Sequence, residues 1–354
     1  MSAPLPLCVV GGGSIGMRHI ELTQTSEQTR LTAVVEPVEA RRAELRDMGL
    51  PVVATLDEVP GDTRGAVVAT PTPDHATSGA SALARGMAVI VEKPVAGTLD
   101  DARTLVAAAD RAGLPLFTGH HRRCHPFSLQ AREALAQIGT LVAVQGCWSL
   151  RKHDSYYEAE WRRKPGAGPL MTNLSHEIDL LRFFVGEVEE VTALLSSAAR
   201  GHEIEDTAAL AFRFDSGALG SFLMSDAGAS PWSFEAASNE NPAIAGSGQD
   251  YLRLIGNEGA LEFPSLTRWG RGAPGEIEWS KPLARTPGPE LAAVDPLLAQ
   301  VERFAAVVAG GSDDVLCTGA DGIAALEMTL AAALSRHRGR PIRRGEVPGD
   351  YNGT

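Results

Sequence analysis

The sequence predicts an α/β chain in two parts: a doubly wound parallel sheet first, then an α+β domain with a mostly antiparallel open sheet. Three observations predict it. From Leu5 to Thr118, short apolar β-branched runs alternate with Ala-, Glu- and Arg-rich stretches, the pattern of strands covered by helices on both faces. A cluster of glycines closes the first run, as where a strand turns sharply into a helix. Beyond about Pro126 the runs are separated by DSG and GNEG turn signals and read as an antiparallel sheet with one covered face. A length of 354 residues fits about two domains. The boundary is drawn between residues 1–122 and 123–354, with the C-terminal helices free to pack back on the first part.

In order, LPLCVV, LTAVVE, GAVVAT, MAVIVE and LPLF are the strands of the first part, each beside a helical segment. The second part opens with a helix from Phe127 to Gln137 and a strand from Thr140 to Leu150, then a polar loop and an apolar helix from about Thr172 to Val185. VTALLSSA, TAALAFRF, ALGSFLMS, YLRLIG and ALEF follow as strands. The Ser-, Asn-, Gly- and Pro-rich connection from Gly228 to Gly248 is either a lid or a plain surface loop. Two Ala-rich helices, near Pro296 to Ala309 and Ala320 to Arg338, close the series.

Hydrophobic residues at 44% and charged residues at 21% are ordinary globular usage, which excludes a disordered or fibrous chain. With 32 Lys and Arg against 44 Asp and Glu the formal charge is −12, and no basic block is dense enough to neutralise a row of phosphates. Nucleic acid and anionic membrane are therefore not expected partners. No run reaches the ~18 apolar residues of a spanning helix. Cys8, Cys124, Cys147 and Cys317 lack the spacing of a zinc site or disulfide framework and read as reduced thiols of a cytoplasmic protein. Met1 to Val10 has no basic residue before its apolar run, so no secretion signal is expected.

Gly11-Gly12-Gly13-Ser14-Ile15-Gly16 fits G-x-G-x-x-G directly after the first strand and opens a helix, the phosphate-binding turn of a Rossmann domain. Gly11 permits the tight turn, Gly13 lets a pyrophosphate approach the backbone, and Gly16 allows close helix–strand packing, while the helix N-terminus offers N–H groups to the phosphate. Gly11, Gly13, Ser14, Ile15 and Gly16 are the cofactor-binding candidates of this turn. Glu36 ends the second strand 20 positions past Gly16, placed to accept hydrogen bonds from ribose hydroxyls and to repel a 2′-phosphate, so NAD is expected ahead of NADP. Arg41 and Arg42 read as the solvated face of the next helix, with a hold on a 2′-phosphate as the alternative.

Thr70-Pro71-Thr72-Pro73-Asp74-His75 follows the third strand and Glu92-Lys93-Pro94 the fourth. Ligands of doubly wound sheets bind beyond the carboxyl ends of the strands, so Thr70, Pro71, Thr72, His75, Glu92, Lys93 and Pro94 are expected to face the cofactor, with Lys93 the most informative cation. In TNLSHEIDLLRFF, helical spacing puts His176 among Asn173 and Asp179. The Gly166-Ala167-Gly168-Pro169 stretch ahead brings backbone close to something, which favours a catalytic histidine over a structural one. His120, His121 and His125, beside Cys124, follow the fifth strand and read as active-site lining; no metal is expected, since nothing completes a set of four ligands.

Together these segments resemble the glucose-fructose oxidoreductase / inositol dehydrogenase / rhizopine catabolism (Gfo/Idh/MocA) family of nicotinamide-dependent sugar and polyol oxidoreductases. The likeness runs through GGGSIGMRH, ATPTPDHA, EKP at 92–94, GHHRR at 119–123, GAGPLMTNLSHEIDLLRFFVG and GADGIAALEMTLAAALSRHRGRPI. It implies a dinucleotide-binding Rossmann domain over 1–122 and a substrate-binding and oligomerisation domain over 123–354, whose open sheet face forms a homodimer or homotetramer interface. It also implies that Lys93 is the catalytic, substrate-binding lysine, that His176 exchanges the proton of the reacting hydroxyl, and that a cis peptide precedes Pro94. Many inositol dehydrogenases of the family have an aspartate four residues before that histidine; this chain has Thr172 there, followed by Asn173, which speaks against inositol itself.

The reaction this implies is hydride transfer between NAD and a secondary alcohol or ketone of a sugar, polyol or inositol-like small molecule. His176 acts as general base and Lys93 stabilises the alkoxide or polarises the carbonyl. His121, Arg122, Trp148, Thr172 and Asn173 are further substrate-binding candidates, with Arg123 and Trp161 as lesser ones. The competing readings are an enzyme of a non-sugar substrate such as a dihydrodiol or imine, and a non-catalytic NAD-binding regulator, which would be free to lose Lys93 or His176.

Overall fold

The computed structural model describes residues 3–241, 243–271, 277–292 and 294–354. Met1 and Ser2 of the N-terminal run, and Pro242 of the 228–248 connection, lie outside the described residues. The chain divides into two compact units: Met1–Cys124 with Val294–Leu326, and His125–Ala293 with Glu327–Thr354.

The first unit alternates strand and helix: β1 (Leu5–Val10), α1 (Ser14–Thr25), β2 (Thr29–Val35), α2 (Glu39–Asp47), β3 (Val52–Val53), β4 (Gly65–Val68), α3 (His75–Ala84), β5 (Ala88–Val91), α4 (Leu99–Ala112) and β6 (Leu116–Thr118). The six strands lie in the order β3-β2-β1-β4-β5-β6 with every pair parallel. All four residues of β4 and of β5 are buried, which is why these runs are continuously apolar rather than alternating. Local chemistry sets the helix ends. At α4 the Thr98 side chain accepts the Asp101 N–H, Asp100 and Asp101 occupy the first turn, and Gly113 stops the helix in the left-handed region.

The second unit begins with α5 (Pro126–Ala134) and β7 (Leu141–Ser149), then two one-turn 3-10 helices (Asp154–Tyr157, Glu160–Arg163) and a π-helical turn (Leu170–Leu174) that runs into α6 (Ser175–Val185). After these come β8 (Val188–Ser196), β9 (Thr207–Phe214), β10 (Leu219–Ser225), α7 (Phe234–Ser238), β11 (Leu252–Gly256), β12 (Ala260–Phe263), β13 (Arg268–Arg271) and β14 (Leu283–Thr286). In β9, Ala208, Leu210, Phe212 and Phe214 are buried while Ala209, Ala211 and Arg213 are exposed, the period of a sheet with one covered face. The covered side packs Phe184, Phe234, Tyr251 and Phe263 with ring centroids 5.3–6.2 Å apart. Within the 228–248 connection, α7 is capped by the Ser233 side chain, and Phe234, Ala236 and Ala237 are buried. The middle of that segment is therefore packed into its unit.

The chain then returns to the first unit with α8 (Pro296–Val308), where Phe304 meets Phe117 edge-on at 6.2 Å. Helix α9 (Gly319–Arg338) starts in the first unit and ends in the second, where β15 (Ile342–Arg343) completes the sheet order β14-β13-β12-β11-β7-β10-β9-β8-β15. Its one parallel pair among the described residues is β7 with β10. No helix among the described residues is long and apolar enough to cross a membrane.

Candidate active site

Strand order reverses between β1 and β4, so the turns after these strands flank the point where doubly wound sheets take ligands. Gly11 takes φ +108°, and a Cβ there would lie 2.6 Å from the Ala69 carbonyl oxygen. A Cβ on Gly16 would lie 2.0 Å from the Gly11 carbonyl oxygen, so α1 rests directly on the turn. Gly13 differs: among the described residues nothing lies within 4 Å of its Cβ position, and no side chain caps the N–H groups of α1, which starts at Ser14 and Ile15. That open space before an uncapped helix N-terminus fits a pyrophosphate.

Glu36 follows β2, and its two carboxylate oxygens accept the N–H groups of Gly12 and Val38, each at 3.0 Å. Arg41 donates to the Gly12 carbonyl at 2.9 Å and pairs with Glu44, while Arg42 donates to the Glu36 carbonyl at 2.8 Å and pairs with Glu39. Both guanidiniums hold the loop and their own helix.

After β4, Thr70 and Pro71 lead into a 3-10 turn at Thr72–Asp74. His75 is buried, with Nδ1 2.7 Å from the Pro94 carbonyl oxygen and Nε2 2.9 Å from that of Thr70. Burial lowers its pKa against the upward pull of both carbonyls. Expected to face the cofactor, His75 instead ties the two strand-end loops together.

Glu92 is also turned inward, because its Oε1 stands 2.7 Å from Nε2 of His19 in α1 and its Oε2 accepts the Lys93 N–H at 3.2 Å. Burial pushes the Glu92 carboxyl up. The His19 hydrogen bond and the electrostatic pull of His19, His121 and Lys93 outweigh this and bring it from 4.5 to about 2. A Cβ on Gly119 would press within 3.0 Å of Glu92. Lys93 itself is half-buried and its peptide bond to Pro94 is cis. His19 stands three residues beyond Gly16 in GGGSIGMRH, on the buried side of α1, a helical spacing that is its one signal in the sequence. His121, Arg122 and Arg123 form one buried 3-10 turn, in which Arg123 reaches Asp321 at 3.3 Å.

In the second unit, His125 Nδ1 accepts the Phe127 N–H as the cap of α5, with its ring stacked on Phe127 at 4.7 Å. His176 is the second residue of α6, 6% exposed, directly after the π turn, and such turns recur at functional sites. The close approach foreshadowed by Gly166 to Pro169 is to a side chain of the same unit. A Cβ on Gly168 would lie 2.2 Å from Glu205 Oε1, the oxygen that accepts the Leu170 N–H at 2.8 Å. Thr172 and Asn173 are half-buried on the turn, with Thr172 Oγ1 3.0 Å from Asn173 Oδ1. Trp148, expected to contact substrate, is fully buried and donates its indole N–H to Glu235 at 2.9 Å; it is a core residue. Trp161 is 61% exposed.

Residues 6–120 match the model of an oxidoreductase family's NAD-binding Rossmann fold, and residues 128–262 match that of the GFO/IDH/MocA C-terminal domain. The chain belongs to the Gfo/Idh/MocA oxidoreductase family. It is 29% identical over 185 residues to the rhizopine catabolism protein MocA of Rhizobium meliloti, covering 51% of this chain and 57% of that protein. To the 1,5-anhydro-D-fructose reductase of Ensifer adhaerens it is 33% identical over 178 residues, covering 48% and 53%. The chain thus spans little more than half the length of these curated relatives. The WlbA dehydrogenase of Bordetella pertussis, solved with NADH and UDP-GlcNAcA, is similar at a TM-score of 0.73 over 98% of this chain and 100% of that one; at 24% identity this shows the fold alone. As a Gfo/Idh/MocA protein the chain carries its NAD-binding Rossmann domain in the first unit.

Proposed function

We propose that the chain is an NAD-dependent dehydrogenase acting on CH–OH groups of a sugar or polyol, with Lys93 and His176 as its catalytic residues. The observation that carries this reading is the buried His19–Glu92 pair, which commits a carboxylate to holding the Lys93 backbone at the end of β5, the end beyond which such sheets bind ligands. When bound, NAD takes or supplies the hydride at C4 of its nicotinamide. The Lys93 ammonium stabilises negative charge on the substrate oxygen during oxidation and polarises the carbonyl during reduction. His176 takes the hydroxyl proton on a ring nitrogen and returns it in the reverse direction. The Glu36 carboxylate repels a 2′-phosphate, which favours NAD over NADP.

The test is reduced-cofactor absorbance with NAD or NADP and a panel of inositols, aldoses, uronates and glycosides, then keto-sugars with NADH. One substrate class should react, mainly with NAD, and Lys93→Ala and His176→Ala should each cut turnover by ~10²-fold or more while NADH fluorescence still reports binding. Binding without turnover in either direction would point to a regulator instead.

We also propose that the open face of the nine-stranded sheet pairs with a second copy of the chain. The register aligns Cys147, Leu223, Ala209 and Leu194 in one row across four strands, and Ile255, Ala143 and Leu219 in another. Leu194, Leu219 and Leu223 are 75%, 51% and 47% exposed, and the two apolar rows flank one of Gln145, Ser221, Ala211 and Thr192, a mixed face whose exposed leucines suit an interface.

A further inference from the structure

Where Thr172 and Asn173 stand in place of a carboxylate, the polar groups present the opposite sign. Lys152, three residues past β7, points Nζ at Asn173 Oδ1 from 3.2 Å. Lysine only donates, so this contact fixes the amide: the Asn173 oxygen faces Lys152 and Thr172, and its NH2 faces away. Among the described residues, the Asn173 NH2 has no partner. The Lys152 ammonium has one oxygen at 3.2 Å, a more distant Asp226 oxygen at 3.6 Å and the Tyr156 ring at 4.8 Å, which leaves it a donor to spare.

The nearby acids share their charge between Lys152 and other donors. Asp226 is 1% exposed, receives the Tyr157 hydroxyl on Oδ2 and has Arg200 3.4 Å from Oδ1. Glu235 accepts the Trp148 indole N–H. Burial draws the Lys152 pKa down while Asp226 and Glu235 pull it up and Arg200 opposes them; a bound anion would add to the upward pull. Asn173 lies three residues before His176, in the π turn that runs directly into α6.

We infer that Lys152 and Asn173 form a donor subsite for a carboxylate, and that the substrate is a sugar acid, a uronate or aldonate, rather than a neutral polyol. The inference rests on the proposed function for the reaction but not for the binding. An ammonium and an amide both donating to a carboxylate make charge-assisted hydrogen bonds, which should favour the acid over its neutral partner by about 10- to 100-fold.

Calorimetric titration of the NADH-loaded protein with glucuronate, galacturonate and gluconate, and with glucose, galactose and glucitol, tests this in wild type, Lys152→Gln and Asn173→Asp. At least one acid should bind tenfold tighter than its neutral partner. Lys152→Gln should shrink that ratio at least tenfold, through KM rather than kcat where turnover is measurable, and Asn173→Asp should invert it. No acid preference in the wild type, or an equal preference in Lys152→Gln, overturns the subsite. If Lys152→Gln does not fold, an unchanged ratio in Asn173→Asp overturns it as well. Acid binding that depends on Lys152 without any turnover keeps the subsite and removes the proposed reaction; Lys93-dependent turnover of neutral polyols without acid preference does the reverse.

Discussion

His19, with no exposed surface, and Glu92, 6% exposed, meet across 73 residues of sequence to brace Lys93. Since the folded Glu92 carboxyl sits at about 2 against 4.5, its contribution is complete above about pH 4.5 and is lost as pH falls toward 2. At ~1.4 kcal/mol per unit this amounts to about 3 kcal/mol. His19→Ala strands a buried carboxylate, so it should cost about 3–5 kcal/mol and move the acid-unfolding midpoint, followed by far-UV circular dichroism, upward by about one pH unit. An acid midpoint equal to that of the wild type would remove the pair from its bracing role. The tight turn at Gly11 and the close packing at Gly16 were legible because a local turn dictates them. The inward role of His75 and Glu92 was not, because their partners, Pro94 and His19, are set by how strands and helices assemble rather than by nearby sequence. Trp148 shows the same limit, since its burial against Glu235 depends on the connection after β10.

Helix α1 separates two glycine functions that a motif treats alike. Gly16→Ala would drive a methyl into the Gly11 carbonyl, 2.0 Å away. A backbone atom cannot step aside, so this change should destabilise by about 1–3 kcal/mol and lower the melting temperature. Gly13→Ala meets nothing within 4 Å among the described residues, so the melting temperature should stay, while the methyl occupies the space a pyrophosphate needs and weakens NADH binding by tenfold or more. Differential scanning fluorimetry with and without NADH checks both; equal melting losses in the two variants would defeat the distinction. Elements with continuous apolar runs, such as β4 and β5, were readable at this scale. The strands β13 and β14 were not: RWGR and LART are short and charged, and β13 joins the sheet through register with β12 and β14 through register with β13, rather than through burial. Nor was α7, five residues long inside a polar connection. The π turn before His176 reads as ordinary helix in sequence; the acceptor of its first N–H, Glu205, comes from 35 residues further on.

For the molecule as a whole, the apolar rows on the open sheet face decide whether one copy suffices. A formal charge of −12 makes copies repel one another at long range, so the proposed association would have to come from burying Leu194, Leu219, Leu223 and their neighbours, at about 25 cal/mol per Å² of apolar surface. Two consequences follow with definite signs. Added salt screens the repulsion over a Debye length of ~8–10 Å and should strengthen assembly, the opposite of an interface held by exposed ion pairs. Leu194→Lys with Leu223→Asp puts charges into one row, where strand alternation keeps both side chains on the exposed face and off the covered core. Size-exclusion chromatography with light scattering should show a dimer or tetramer for the wild type and a monomer for the double variant, with circular dichroism and melting temperature retained because no covered residue changes. A wild type that stays monomeric at micromolar concentration in high salt would leave these leucines needing another partner.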